Sequence, residues 1–174
     1  MKNFALHHSA VARGSVQLYA VNRYHRDLWW TRSHFNWFVG YNYFIDSDGT
    51  LTYTREIGEE TMAQKGHNWD TISVCLAGNF DIESPSGAQK QVLRGLYNKV
   101  REDYPNIIVT THAALQEGRT CPGKNFTQRQ INEVLADKSD EEDKTKEHEI
   151  KKLQAQIDAL RAILAKLRSL LSIK

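Results

Sequence analysis

Up to about residue 135, the spacing of apolar residues switches between strand-like and helix-like periods. FALHHSAV (4–11) reads as a short strand. Ser15 then stands where an N-cap belongs, ahead of a helical stretch from Val16 to about Leu28. In YNYFIDSDGTLTYTREI (41–57), two runs rich in Tyr, Phe, Ile and Thr flank Asp48-Gly49, a turn pair that tolerates positive φ, and a β-hairpin is predicted. TISVCLAGNF (71–80) has the apolar character of a strand buried on both faces. From Ser86, the residues Gln89, Val92, Leu93, Leu96, Tyr97 and Val100 recur at steps of three and four, predicting an amphipathic helix that ends before Pro105. NIIVTTH (106–112) is a further strand, and TQRQINEVLAD (from Thr127) a last short helix. The alternation predicts an α/β domain over residues 1–136, with a mixed central β-sheet flanked by helices.

The pattern then changes. Residues 137–149 hold seven Asp or Glu against three Lys and no apolar residue, the composition of a charged linker. From Ile150 a heptad follows through Leu153, Ile157, Leu160, Leu164, Leu167 and Leu171, predicting a C-terminal amphipathic coiled-coil helix over 150–174. Isoleucine at the first two a positions with leucine at d favours a parallel dimer, whereas Ile163 and Leu170 at g widen the apolar face toward a larger bundle. A homo-oligomer is expected, its number open. The same helix carries Lys151, Lys152, Arg161, Lys166, Arg168 and Lys174 against Asp158 alone, so contact with an anionic membrane surface is the competing reading.

Composition narrows the function classes. With 40% hydrophobic and 25% charged residues over 174 positions, the chain is globular and not disordered. No apolar run approaches the ~20 residues of a membrane span. MKNFALHHSA is a poor secretory signal, so synthesis in the cytoplasm without a signal peptide is expected. Two cysteines do not make a disulfide framework, and Cys75 reads as a small buried hydrophobe. Basic charge sits on the heptad helix with no aromatic-interleaved groove, which argues against nucleic acid.

Candidate chemistry lies in IVTTHAALQEGRTCPGKNF (108–126). His112 ends a predicted strand, and nine residues return the chain to Cys121. Imidazole and thiolate both suit zinc, which prefers a tetrahedron of four ligands. A third ligand must come from elsewhere, and His7-His8 is the other conspicuous pair; strand alternation lets only one of the two face the site. Three protein ligands leave a fourth position open, as in catalytic zinc centres.

Four blocks, LHHSA (6–10), YHRDLWW…FVGYNYFIDSDGT (24–50), KGHNWDTISVCLAGNF (65–80) and HAALQEGRTCPG (112–123), together resemble the zinc-dependent N-acetylmuramoyl-L-alanine amidase family, which includes phage lysozyme-type endolysins and peptidoglycan recognition proteins. The resemblance covers about residues 3–135. It implies zinc ligands at His7, His112 and Cys121, with His8 turned away. It implies a catalytic tyrosine at Tyr41, after Gly40, and a basic residue at Arg119, where phage enzymes often have lysine. Asn68 falls at the border of a stem-peptide groove. Tyr41, zinc-bound water or another histidine, with His67 and His34 as candidates, is left to protonate the leaving amine, and His67 is carried with Asn68 as a substrate contact.

The implied reaction cuts the amide between N-acetylmuramic acid and L-alanine in bacterial peptidoglycan, with a water made acidic by zinc as the nucleophile source. Arg119 and Tyr41 would face the developing oxyanion. Arginine keeps its proton, so it cannot deliver one to the leaving amine as lysine could. The aromatic block RDLWWTRSHFNWF (26–38) could line a sugar groove, with one of its three tryptophans exposed. Three readings compete: a wall-cutting amidase of the phage endolysin kind, a non-catalytic peptidoglycan-binding module oligomerised by its C-terminal helix, and a coiled-coil scaffold with a structural zinc. The complete ligand set favours the first, acting on the cell wall.

Overall fold

Strands β1 (Asn3–His8), β2 (Tyr43–Ile45), β3 (Leu51–Tyr53), β4 (Thr71–Leu76) and β5 (Ile108–Thr111) form one sheet in the spatial order β3-β2-β4-β1-β5. The computed structural model describes residues 1–14, 17–136, 150–162, 164 and 166. The chain divides into two units, Met1–Ala136 and Asp137–Lys174. Within the first unit β1 runs parallel to β4 and β5, β2 runs parallel to β4, and the β2–β3 hairpin is antiparallel. The sheet is therefore mixed, as its pattern predicts.

Among the described residues this unit has four helices: α1 (Leu18–Trp29), α2 (Gly87–Asp103), α3 (His112–Leu115) and α4 (Gln128–Ala136). Alternation along the strands sorts their side chains into two layers. Phe4, Leu6, Ile72, Val74 and Leu76 pack with Leu93, Leu96 and Val100 of α2 and Ile131 of α4. Phe44, Cys75 and Ala77 pack with Leu18 and Val21 of α1. Burial on both faces explains why β4 reads as a continuous apolar run. Each large side chain so buried contributes about 1.5–3 kcal/mol. Cys75 lies in this core, as expected.

The helix starts show where local pattern suffices and where it does not. Ser86 and Gln89 form a reciprocal capping box that opens α2. The Gln89 amide then donates to the carbonyls of Ile45 and Ala77, fixing α2 to the sheet. Ser15 and Val16 lie outside the described residues, and α1 begins one residue after Gln17, whose side chain makes no cap. Asp46 supplies the acceptor instead: its Oδ1 takes the Gln17 N–H at 2.8 Å. In the predicted hairpin turn it is Gly49 that takes positive φ, at 90°.

His25 of α1 is buried against Trp29 and Tyr41, with Nδ1 accepting the Gly40 N–H at 3.0 Å. Burial, and then the nearby Arg55 cation, pushes its pKa down to about 4. The folded protein thus holds it neutral, while the unfolded chain takes up a proton below about pH 6.5. Stability present above that pH is lost as pH falls toward 4. We expect this residue to account for about 2 kcal/mol of destabilisation between pH 7 and 4.5. Urea unfolding at both pH values, in chelator, checks it: His25→Gln should show that much less pH dependence than the parent.

Two of the three tryptophans of 26–38 are exposed rather than the one expected: Trp30 at 76%, beyond the end of α1, and Trp29 at 38%. In the second unit, residues 150–162 are helical, and Ile150, Leu153, Ile157, Leu160 and Leu164 are exposed. The linker 137–149 and the seam positions Leu167 and Leu171, with Ile163 and Leu170, lie outside the described residues. Among the described residues no helix is long and apolar enough to cross a membrane.

Candidate metal centre

Strand register brings the ligand candidates together. Leu6 of β1 pairs with Thr111 of β5 in parallel, so His7 and His112 emerge side by side at the same end of the sheet. Their rings lie 4.8 Å apart. His112 is not the last strand residue that the sequence predicts but the first residue of α3, because Thr111 caps that helix by accepting the Ala114 N–H. The helix turns the chain back at once, and the Ala113 N–H donates to the Cys121 carbonyl at 2.9 Å. A cis Cys121-Pro122 bond follows. Gly123, at φ 105°, then packs so tightly on Phe80 that a Cβ would meet backbone at 2.6 Å.

The ligand atoms of His7, His112 and Cys121 all lie within 4.8 Å of one another, and His7 Nδ1 is 3.9 Å from Cys121 Sγ. A tetrahedral ion with zinc-like bonds separates its ligand atoms by about 3.3–3.8 Å, so a slight contraction closes the group on a metal. Among the described residues no fourth His, Cys, Asp or Glu joins it. His8 points to the other face, where Nδ1 accepts the Phe80 N–H. Its own N–H donates to Cys121 Sγ at 3.3 Å.

The electrostatics fit a cation. Burial and the adjacent His112 hold His7 well below its ordinary pKa, and burial lowers His112 too, so both imidazoles are neutral ligands. Burial pushes the Cys121 thiol up to about 12. A buried thiolate there needs a positive partner, and a divalent ion supplies it. Burial likewise raises Tyr41, which stays a phenol at neutral pH. Its ring lies 5.0 Å from that of His7.

Two grooves meet at this group. One, of about 640 Å³, runs past Leu28, Trp29, Met62, Lys65 and Gln116. The other, of about 740 Å³, runs past Ala10, Val11, Ala20, Val21 and Cys121. Tyr24, Tyr41, His112 and Arg119 line both. Of the site residues expected from sequence, His7, His112, Cys121, Tyr41 and Arg119 are thus brought together. Asn68 lines the first groove, but its Oδ1 already accepts the N–H groups of Ala63 and Gln64. His67 and His34 line neither groove; they lie 3.4 Å from Asp70 and 3.2 Å from Glu56.

Sequence reasoning misses two residues at the centre. Gln64 Oε1 is 3.0 Å from His7 Nε2, and Gln116 Oε1 is 3.0 Å from His112 Nε2. Gln64 sits in an aperiodic loop that gives no local signal, and Gln116 reads as an ordinary loop polar residue.

Comparison with known proteins agrees with this geometry. Residues 1–124 match the family model described as N-acetylmuramoyl-L-alanine amidase. The chain is similar to the endolysin of Enterobacteria phage K11, with 27% identity over 125 residues, covering 68% of this chain and 78% of that one. It is 28% identical over 117 residues to the endolysin of Escherichia phage T7, covering 62% and 70%. The fold is shared with the amidase LysC from Clostridium intestinale, at TM-score 0.65 and 22% identity over 77% of this chain and 84% of that one. Bumblebee PGRP-SA also shares it, at TM-score 0.66 and 20% identity over 76% and 80%. A match over that length, on a chain whose own fold gathers His7, His112 and Cys121 at a groove junction, places this protein in the N-acetylmuramoyl-L-alanine amidase family.

Proposed function

We propose that the protein is a zinc-dependent peptidoglycan hydrolase of the phage endolysin kind, cutting the amide between N-acetylmuramic acid and L-alanine. One observation carries the reading: the His7, His112 and Cys121 cluster lies where two grooves meet, open to a branched polymer. His7, His112 and Cys121 would hold the ion. When bound, zinc polarises the scissile carbonyl and lowers the pKa of water to about 7, making hydroxide available at neutral pH.

The chain's own groups do the rest. Arg119, exposed and shared by both grooves, presents fixed positive charge toward the oxyanion. It keeps its proton, so of the two catalytic candidates Tyr41 is the one that can pass a proton toward the leaving amine. His34 and His67 stand outside the grooves and take no part in that transfer. Asn68 acts by shaping the 61–68 loop that walls the first groove.

Residues 137–149 would link this catalytic unit to the C-terminal helix. The exposed stripe from Ile150 to Leu164 supports self-association as the role of that helix, and its lysines support contact with anionic membranes as the lesser reading. Light scattering over a concentration series should show mass rising above 20.0 kDa in the full chain and not in a chain ending at residue 136; liposome co-sedimentation tests the membrane.

The decisive experiment digests purified peptidoglycan with and without chelator and identifies the soluble products by mass spectrometry. Stem peptides with a free L-alanine amino terminus, lost with chelator and restored by zinc, are expected. Protein that pellets with the wall and leaves its amide links intact would instead be a recognition module.

A further inference from the structure

We propose that Gln64 is a positioning residue for the metal centre: its side-chain amide holds His7 as the Nε2–H tautomer and so aims the Nδ1 lone pair at the ion. The inference rests on the metal-centre reading above and adds a residue that neither the ligand set nor the family match assigns.

Gln64 is 1% exposed, and its side chain is fully engaged. Ser73 Oγ lies 2.8 Å from its Nε2 and 3.2 Å from its Oε1 and so fits either orientation, but on one side Nε2 donates to the His67 carbonyl at 3.4 Å. A carbonyl can only accept, so the amide nitrogen belongs on that side and Oε1 belongs on the His7 side. Oε1 then lies 3.0 Å from His7 Nε2 as a pure acceptor, and the imidazole must donate. With the hydrogen on Nε2, the free lone pair of a neutral imidazole is on Nδ1, the atom 3.9 Å from Cys121 Sγ. A metal-binding histidine is commonly fixed in this way by an acceptor on its second nitrogen.

The support behind the amide is itself rigid. Asn68 Oδ1 accepts the Gln64 N–H at 2.9 Å, and Ser73 stands on β4, where its N–H is taken by Asn42 Oδ1. Gln116 repeats the arrangement at His112, its Oε1 lying 3.0 Å from Nε2 while accepting the Lys65 N–H at 3.3 Å. Residue 64 thus touches His7 through its side chain, and residue 65 is linked to His112 through Gln116. The 61–68 loop is a wall of the groove and also the part that orients the ligands.

The first test needs no variant. Long-range ¹H–¹⁵N correlation spectra of the metal-free full chain report the tautomer of His7; a hydrogen on Nε2 is expected, and one on Nδ1 overturns the proposal. The second test measures zinc affinity by competition with a chromogenic chelator. Gln64→Met should bind zinc about 10–100-fold more weakly, whereas Gln64→Glu, which keeps an acceptor, should stay within about tenfold of the parent. Equal affinity in the parent and Gln64→Met overturns the proposal. Thermal unfolding of the metal-free variants separates misfolding from misorientation, and the tautomer of the parent decides the matter if Gln64→Met does not fold. A parent chain that binds no zinc sinks the metal-centre reading instead, leaving the tautomer assignment standing on its own.

Discussion

Cys121→Ser is expected to lower release of L-alanine-ended stem peptides by about a thousandfold or more, the equivalent of the several kcal/mol that a metal contributes to such a reaction. With an ion bound the sulfur would be the anionic member of the cluster, and two neutral imidazoles cannot replace its charge. Its surroundings already favour a thiolate once a cation is present, because the His8 N–H points at Sγ from 3.3 Å. Without that cation, burial keeps the thiol protonated to about pH 12, so binding the ion must displace a proton. Metal affinity should therefore weaken as pH falls. A serine hydroxyl gives up its proton far less readily than a thiol, and the ion loses its anionic ligand. Zinc content by elemental analysis after dialysis, beside product release from purified wall, checks the prediction. Circular dichroism in chelator should overlay that of the parent, since Cys121 is only partly buried and its neighbours Pro122 and Gly123 hold the turn. A serine variant that retains one zinc per chain and cuts within tenfold of the parent would place the chemistry away from this cluster.

How the ligands converge was only partly legible in the sequence. Period-two burial and the His7-His8 pair show that one imidazole of β1 faces away from α2, but not which one. That choice follows from Phe4 and Leu6 packing on α2, which by alternation puts His7 on the opposite face, and Leu6 pairing with Thr111, about a hundred residues away, then sets His112 beside it. Parallel pairing leaves no turn signature to read. The resemblance to a known family supplied the assignment that spacing could not. Asp46 and Gln64 escaped for the same reason, because each acts on a partner distant in sequence: the start of α1 for one and His7 for the other. Asn68 was read as a groove residue from the family resemblance, and only the bonds of its Oδ1 reveal that it builds the loop. Arg55 was invisible as well. A cation after the last strand residue of a hairpin reads as surface charge.

Arg55 is in fact 2% exposed, and its replacement is expected to have the largest effect on stability in the chain. Nε donates to the Val39 carbonyl at 2.8 Å and Nη2 to the Thr31 carbonyl at 2.7 Å. Nη1 reaches the Glu60 carbonyl at 3.3 Å and Glu59 Oε1 at 3.4 Å. One guanidinium thus ties together two loops that have no ladder of their own, 30–39 and 59–60. The first of them leads straight into Gly40 and Tyr41, so the same contact sets the approach to the His7, His112 and Cys121 cluster. Arg55→Met fills much of the volume but leaves three carbonyls without this donor and Glu59 without its cation. Removing one partner from such a buried arrangement costs about 3–5 kcal/mol, against a total stability of about 5–15 kcal/mol for a folded domain. In a domain of this size that corresponds to a melting point lower by about 10–17 °C. Arg55→Lys keeps the charge, but one ammonium cannot span the fork between Val39 and Thr31, and roughly half the loss should remain. Urea unfolding of the metal-free proteins measures both, with Arg129→Met, at an exposed ion pair, as the control expected to change stability by less than about 0.5 kcal/mol. If Arg55→Met loses less than about 1 kcal/mol, the carbonyls have found other donors and the guanidinium does not hold the loops. A full loss, with activity falling in step, would show that the wall of the catalytic groove is kept in place from behind by a single buried cation.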